Sequence, residues 1–202
     1  MFRVAHRDHS GVPLLHPGVA GLGLAAALLG ELVLTGRIEI HAGLVYVLDR
    51  HPPVDALAHT VLDHLAGEQR PLPVRTWLAF LARFAYIEVA DRMRRAGHVR
   101  EHVARRLFGR TVRYVPTDMN TAAWPWARLS SQLSRGRPLD VFDVALGGLV
   151  LATDLHRMVL SGRSAEVSAQ LRGALVAAPP PVRELVEYTE SAVGAAVTIA
   201  AT

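Results

Sequence analysis

The chain contains no cysteine and no lysine. Without cysteine there is no disulfide framework, no cysteine-ligated zinc, no iron–sulfur cluster and no thiol nucleophile, and a reducing cytosolic compartment is the simplest setting. Charge is also sparse, at 20% of 202 residues, and aromatic residues make up only 6%. With 50% hydrophobic residues and a mean hydropathy of +0.23, the composition excludes a disordered chain yet falls short of a membrane-embedded one. The N-terminus, MFRVAHRDHSGVPLL, lacks the continuous apolar stretch of a secretory signal, so no export is expected. Residues 17–36 carry a single charge, Glu31, but five glycines (Gly18, Gly21, Gly23, Gly30, Gly36) interrupt them, which predicts a helix buried in protein rather than a bilayer span. The apolar run 192–201 is too short to cross a membrane and reads as a packed last helix.

What is present in excess is arginine, which supplies all 22 basic residues. Its distribution is uneven. Between residues 92 and 113 eight arginines (Arg92, Arg94, Arg95, Arg100, Arg105, Arg106, Arg110, Arg113) face one acid, Glu101, a net charge of +7; the whole chain carries +4, so the remainder carries −3. A mildly acidic body with one intensely basic strip is the electrostatic footprint of a protein that meets a polyanion, such as lipid headgroups or nucleic acid. A solvated arginine-rich hairpin is the blander alternative.

Hydrophobic spacing predicts the elements around that strip. Ile38 and Ile40 alternate with polar neighbours, His41-Ala42-Gly43 turns, and Leu44–Leu48 returns, a first hairpin over 37–48. Ala58, Val61, Leu62 and Leu65 keep helical spacing, as do Val74, Trp77, Leu78 and Leu81, and then Tyr86, Val89, Ala90 and Met93 before Gly97. From His98 to Val115 the pattern is strand-like, with Arg105-Arg106-Leu107-Phe108-Gly109-Arg110 at the tip. Pro116 ends this second hairpin, and helices are expected at 118–135, 139–153, 163–176 and 182–201. The short connections predict one compact, mainly α domain over 1–202 with two β-hairpins, one of them projecting and arginine-rich.

Enzymatic chemistry finds little support. Gly18-Val-Ala-Gly-Leu-Gly23 has neither a preceding strand nor a following Gly-Lys-Ser/Thr, so it is not a phosphate loop. His59 with Asp63, and His98 with His102, are the best local metal-like pairs, but neither belongs to a His-Glu-x-x-His core, and the histidines read as surface residues. No serine sits in a Gly-x-Ser-x-Gly elbow. Asp140 and Asp143 stand where carboxylates cap a helix. The expectation is a non-enzymatic protein without cofactor or metal. The helix–helix–hairpin order over 74–115 is winged-helix-like, which keeps a DNA-binding alternative in view, although the helix 85–96 carries Glu88 and Asp91 and lacks Asn, Gln, Ser and Lys for base edges and phosphates. Leu107 and Phe108 bracketed by Arg105, Arg106 and Arg110 suit shallow insertion at a membrane interface, or docking in a neighbouring subunit.

Several stretches in order along nearly the whole chain are similar to the Golgi phosphoprotein 3 family, in the form of a bacterial member. They are Leu28-Leu-Gly-Glu-Leu-Val-Leu-Thr-Gly-Arg-Ile-Glu-Ile40, Val61-Leu-Asp-His-Leu65, Pro73-Val-Arg-Thr-Trp-Leu78, the helix ending in Arg95-Ala-Gly97, and Ala145–Thr153. The resemblance implies a compact helical fold with a projecting hairpin used for self-association and membrane contact. Eukaryotic relatives bind phosphatidylinositol 4-phosphate and hold the cytosolic tails of glycosyltransferases, which implies possible protein clients here. The positions that correspond to the family's headgroup pocket read His16, Ala25, Arg83 and Tyr86. Only Arg83 keeps a guanidinium, so the resemblance implies a partly retained headgroup site. The combined expectation is a cytoplasmic protein, peripheral on the inner face of the membrane, oligomeric through the hairpin. It would bind anionic lipid with Arg83, Arg105, Arg106 and Arg110, with nucleic acid the weaker alternative.

Overall fold

A computed structural model describes residues 1–106, 109–159 and 164–200. The chain order is α1 (Pro17–Leu34), β1 (Ile38–His41), β2 (Leu44–Val47), α2 (Ala56–Ala66), β3 (Leu72–Pro73), α3 (Val74–Ala82), α4 (Ala85–Arg95), β4 (Val99–Arg106), β5 (Gly109–Pro116), α5 (Met119–Ser134), α6 (Val141–Ala152), α7 (Leu155–Val159), α8 (Ser164–Val176) and α9 (Pro180–Ala200). The fold is mainly α with two small antiparallel sheets, as the periodicity predicted.

Helix α1 begins where Pro17 supplies a preset φ and His16 accepts from the Gly18 N–H, and it ends just before Gly36, at φ +68°. Apart from Glu31 it is apolar, and a helix of that kind needs neighbours on most sides. It has them: α3, α4, α6 and α9 pack against it, and Leu24, Leu28, Leu29 and Leu32 are each no more than 1% exposed. By length and composition α1 could cross a membrane, but 61% of it is buried inside the protein. Close approach explains one of its glycines. A Cβ at Gly21 would lie 2.7 Å from the Ala82 carbonyl oxygen, so α3 meets α1 backbone to backbone.

Aspartates start three of the other helices. Asp55, Asp118 and Asp140 accept from the N–H groups of Ala58, Thr121 and Asp143 at 2.9, 2.9 and 2.8 Å. Each satisfies a donor that the first turn leaves without a partner. Asp140 is therefore the cap that the sequence suggested.

In the first sheet β1 and β2 pair from Ile38↔Val47 to His41↔Leu44, burying Ile38, Ile40 and Val45. Here the structure adds to the expected hairpin. A third strand, β3, pairs Leu44 with Pro73 and Val45 with Leu72. Two further features lay outside the sequence reading: the short α7, and an N-terminal segment whose Phe2, Val4, Ala5 and His6 are buried. The expectation of surface histidines fails at His6 and His156, which are 5% and 6% exposed.

Candidate functional site

The second hairpin grows from the C-terminal end of α4. Gly97 turns the chain, and the base is clamped by the Thr117 hydroxyl donating to the Gly97 carbonyl at 2.7 Å and by the Thr117 N–H donating to His98 at 3.1 Å. Val99 and Tyr114 anchor this base at 5% and 8% exposure. Tyr114 joins an aromatic group with Phe2 and Tyr86, ring centroids 6.4 and 6.2 Å away. Burial pushes the Tyr86 and Tyr114 hydroxyls up from their ordinary pKa.

Beyond the base the hairpin leaves the core. The register pairs Val99 with Pro116, Glu101 with Tyr114, Val103 with Val112 and Arg105 with Arg110 along one face. On the other it pairs Arg100 with Val115, His102 with Arg113, Ala104 with Thr111 and Arg106 with Gly109. Arg100, Glu101, His102, Val103 and Val112 are exposed. Arg105, Arg106 and Arg110 thus lie within the strands by their backbone, whereas Leu107 and Phe108 lie outside the described residues.

Not all of the strip is free to meet a partner. Arg92 grips Glu31 with two bonds of 2.8 Å and reaches Asp55 at 3.3 Å. Those two acids, from α1 and the α2 cap, hold its guanidinium in the charged form. Arg94 pairs with Asp91 at 3.1 Å. Two of the strip's arginines are therefore matched by acids within the protein. Sequence reasoning missed Glu31 and Asp55 as partners, because neither is near Arg92 along the chain.

The four positions that the resemblance aligns with a headgroup pocket are dispersed in character. His16 is exposed at the start of α1, Ala25 is wholly buried inside it, and Arg83 is exposed at the C-terminal end of α3, without an ion-pair partner among the described residues. Tyr86 is already engaged. Its hydroxyl lies 2.9 Å from His6 Nε2, while His6 Nδ1 lies 2.7 Å from the Phe2 carbonyl. A carbonyl only accepts, so in the neutral ring Nδ1 carries the proton and Nε2 accepts from Tyr86. Burial holds His6 below the ordinary histidine pKa.

The other candidates resolve into structural roles. His59 and Asp63 form an i,i+4 pair at 3.3 Å on the outside of α2. No group of three or more His, Cys, Asp or Glu able to hold a metal occurs among the described residues. Arg128 bridges Asp140 and Asp143 at 2.6 and 2.9 Å. The Asp143 amide and Arg128 hold the Asp140 carboxyl below its usual range, while burial and the neighbouring Asp140 push Asp143 up.

A helical domain built round one helix that is apolar but for Glu31, carrying a small tucked-in sheet and a basic outlying hairpin, is the class these features define. The family model described as Golgi phosphoprotein 3 (GPP34) matches residues 2–189, and the chain belongs to that family. No curated protein matches it.

Proposed function

We propose that this chain is a non-enzymatic peripheral membrane protein that binds anionic lipid headgroups electrostatically through the arginine-rich hairpin. The observation that carries the reading is the register, in which Arg105 faces Arg110, Arg106 faces Gly109, and the only acid of the hairpin, Glu101, faces Tyr114 near the base. Each arginine held near an anionic surface contributes about 1 kcal/mol. The exposed Val103–Val112 pair lies on the same face as Arg105 and Arg110, suited to the boundary between headgroups and acyl chains. Selectivity for phosphatidylinositol 4-phosphate is not expected, because Ala25 and Tyr86 remove two guanidinium donors, each a charge-assisted contact of about 1.5–3 kcal/mol. Its place is the cytoplasmic face of the membrane, and it self-associates through the hairpin and holds protein clients there. The DNA alternative is weakened by the ion pairs of α4, where Arg92 and Arg94 are already matched with acids.

Co-sedimentation with neutral, phosphatidylglycerol and phosphatidylinositol 4-phosphate vesicles tests this at low and high salt, with duplex DNA as competitor. The triple variant Arg105→Glu, Arg106→Glu, Arg110→Glu should lose association with every anionic vesicle. Leu107→Ala with Phe108→Ala should weaken it mainly at high salt, where screening removes the electrostatic part. Unchanged sedimentation of both variants would overturn the proposal, as would retention on the monophosphoinositide alone.

A further inference from the structure

The loops after β2 and before β3 enclose a cleft of about 190 Å³. Trp77, 5% exposed, lies at its floor, and Arg50 and Arg70 stand exposed at its walls. Prolines bracket both loops, Pro52-Pro53 on one side and Pro71 and Pro73 on the other, which limits the backbone freedom of the segments that carry the arginines.

Neither Arg50 nor Arg70 has an ion-pair partner among the described residues. The neighbour of Arg50, Asp49, is already engaged, by an ion pair with Arg37 and by the His51 N–H and Nδ1 at 2.9 and 2.6 Å. Glu68 shares the cleft, but it forms no ion pair with Arg50 or Arg70 among the described residues. The strand edge offers a further donor. Leu48 donates its N–H to Arg37 at 2.9 Å on the β1 side, so by the alternation of an antiparallel ladder Val47 turns its N–H and carbonyl towards β3. The β2–β3 ladder stops at Val45↔Leu72, two positions short of Val47, which lines the cleft and has no backbone partner on that side among the described residues. Two planar guanidiniums and an amide N–H around one concavity, against the single carboxylate of Glu68, form a donor set matched to an oxyanion.

We propose that this cleft binds a small molecule bearing a phosphate or carboxylate group, gripped by Arg50 and Arg70 with the Val47 N–H as a third donor. The site is independent of the hairpin.

Calorimetric titration with inorganic phosphate, and separately with succinate, at ionic strength held constant with sodium chloride, tests it. Saturable binding of at least one anion is expected, and which one binds distinguishes the two chemistries. Arg50→Ala and Arg70→Ala should each weaken it by roughly tenfold or more. Both side chains are exposed, so the variants should fold, as an unaltered unfolding midpoint without anion would confirm. Arg83→Ala and the triple hairpin variant should bind the anion as the parent does, which separates this site from vesicle association. Weaker phosphatidylglycerol-vesicle binding by Arg50→Ala with the hairpin unaltered would support the site and identify a lipid headgroup as the anion's source. Absence of saturable binding by either anion, or binding unchanged when both arginines are replaced, would overturn the proposal.

Discussion

The two hairpins share a local plan, antiparallel strands of alternating side chains separated by two residues, and they meet opposite fates. In β1–β2 the alternate positions Ile38, Ile40 and Val45 are buried against α1 and α9, β3 covers part of one edge, and Glu184 of α9 accepts the Gly43 N–H at 2.8 Å. In β4–β5 the corresponding stripe begins equally apolar, with Val99 and Tyr114 buried, but continues into Val103 and Val112, which are 37% and 44% exposed. It then reaches Arg105 and Arg110. A strand face is drawn into the core only as far as its apolar positions extend, because burying an unpaired guanidinium costs more than the adjacent methyl groups return. The first hairpin is consequently a structural part of the domain, and the second is fastened at its foot and offered outward.

Substitutions at matched positions give the sharpest test of that contrast. Ile40→Ala, at a residue 1% exposed, should cost about 2–5 kcal/mol in urea unfolding, whereas Val103→Ala should stay within about 0.5 kcal/mol. Comparable losses at the two positions would mean that the second hairpin is as deeply held as the first. The glycines make a finer comparison. Gly43 and Gly97 both adopt φ +74°, but a Cβ at Gly43 would lie 2.1 Å from the Tyr188 hydroxyl oxygen, while one at Gly97 would meet nothing within 4 Å. Gly97→Ala should cost about 1–2 kcal/mol for the left-handed backbone alone, and Gly43→Ala about 1–3 kcal/mol more for the clash. Equal destabilisation would show that α9 does not hold the first turn as closely as the packing indicates.

The smallest expected effect is a pH dependence confined to the foot of the second hairpin. His6 titrates below its ordinary value of 6.5 because it is buried, so between that lowered value and 6.5 the unfolded chain binds more protons than the folded one. Stability contributed by neutral His6 is complete above pH 6.5, declines as the pH falls through this window, and levels off below the folded-state pKa. Urea midpoints measured from pH 8 to pH 5 should decline less steeply in His6→Gln than in the parent. Identical slopes would remove His6 from the account.

Much of this architecture was legible in advance. The expected helix 118–135 is α5, Met119–Ser134, and the expected helix 139–153 is α6, Val141–Ala152, because a stripe repeated over three or four turns is a strong signal. Helix α7 has five residues and β3 has two, too few for any period to register. The basic strip was equally visible, since charge is read directly from residue type. Which of its arginines are spent inside the protein was not: Arg92 is matched by Glu31, sixty-one positions away, and by Asp55, thirty-seven away. Likewise Tyr86 matches the helical spacing of its neighbours, and nothing local reveals that its hydroxyl meets His6 eighty positions upstream.

Periodicity, turn residues and charge placement, all properties of neighbours along the chain, were enough to specify a mainly helical domain, its apolar central helix and a hairpin too basic to bury. Pairings across the fold settled the rest: the partners that neutralise Arg92 and Asp49, the strand β3 whose pairing stops two residues short of Val47, and the aromatic foot that fastens the second hairpin. The physical reason is one of range. A side chain's preference for helix, strand or water acts within a few residues, whereas an ion pair, a strand edge or a cleft exists only once distant segments have been brought within a few ångströms of each other.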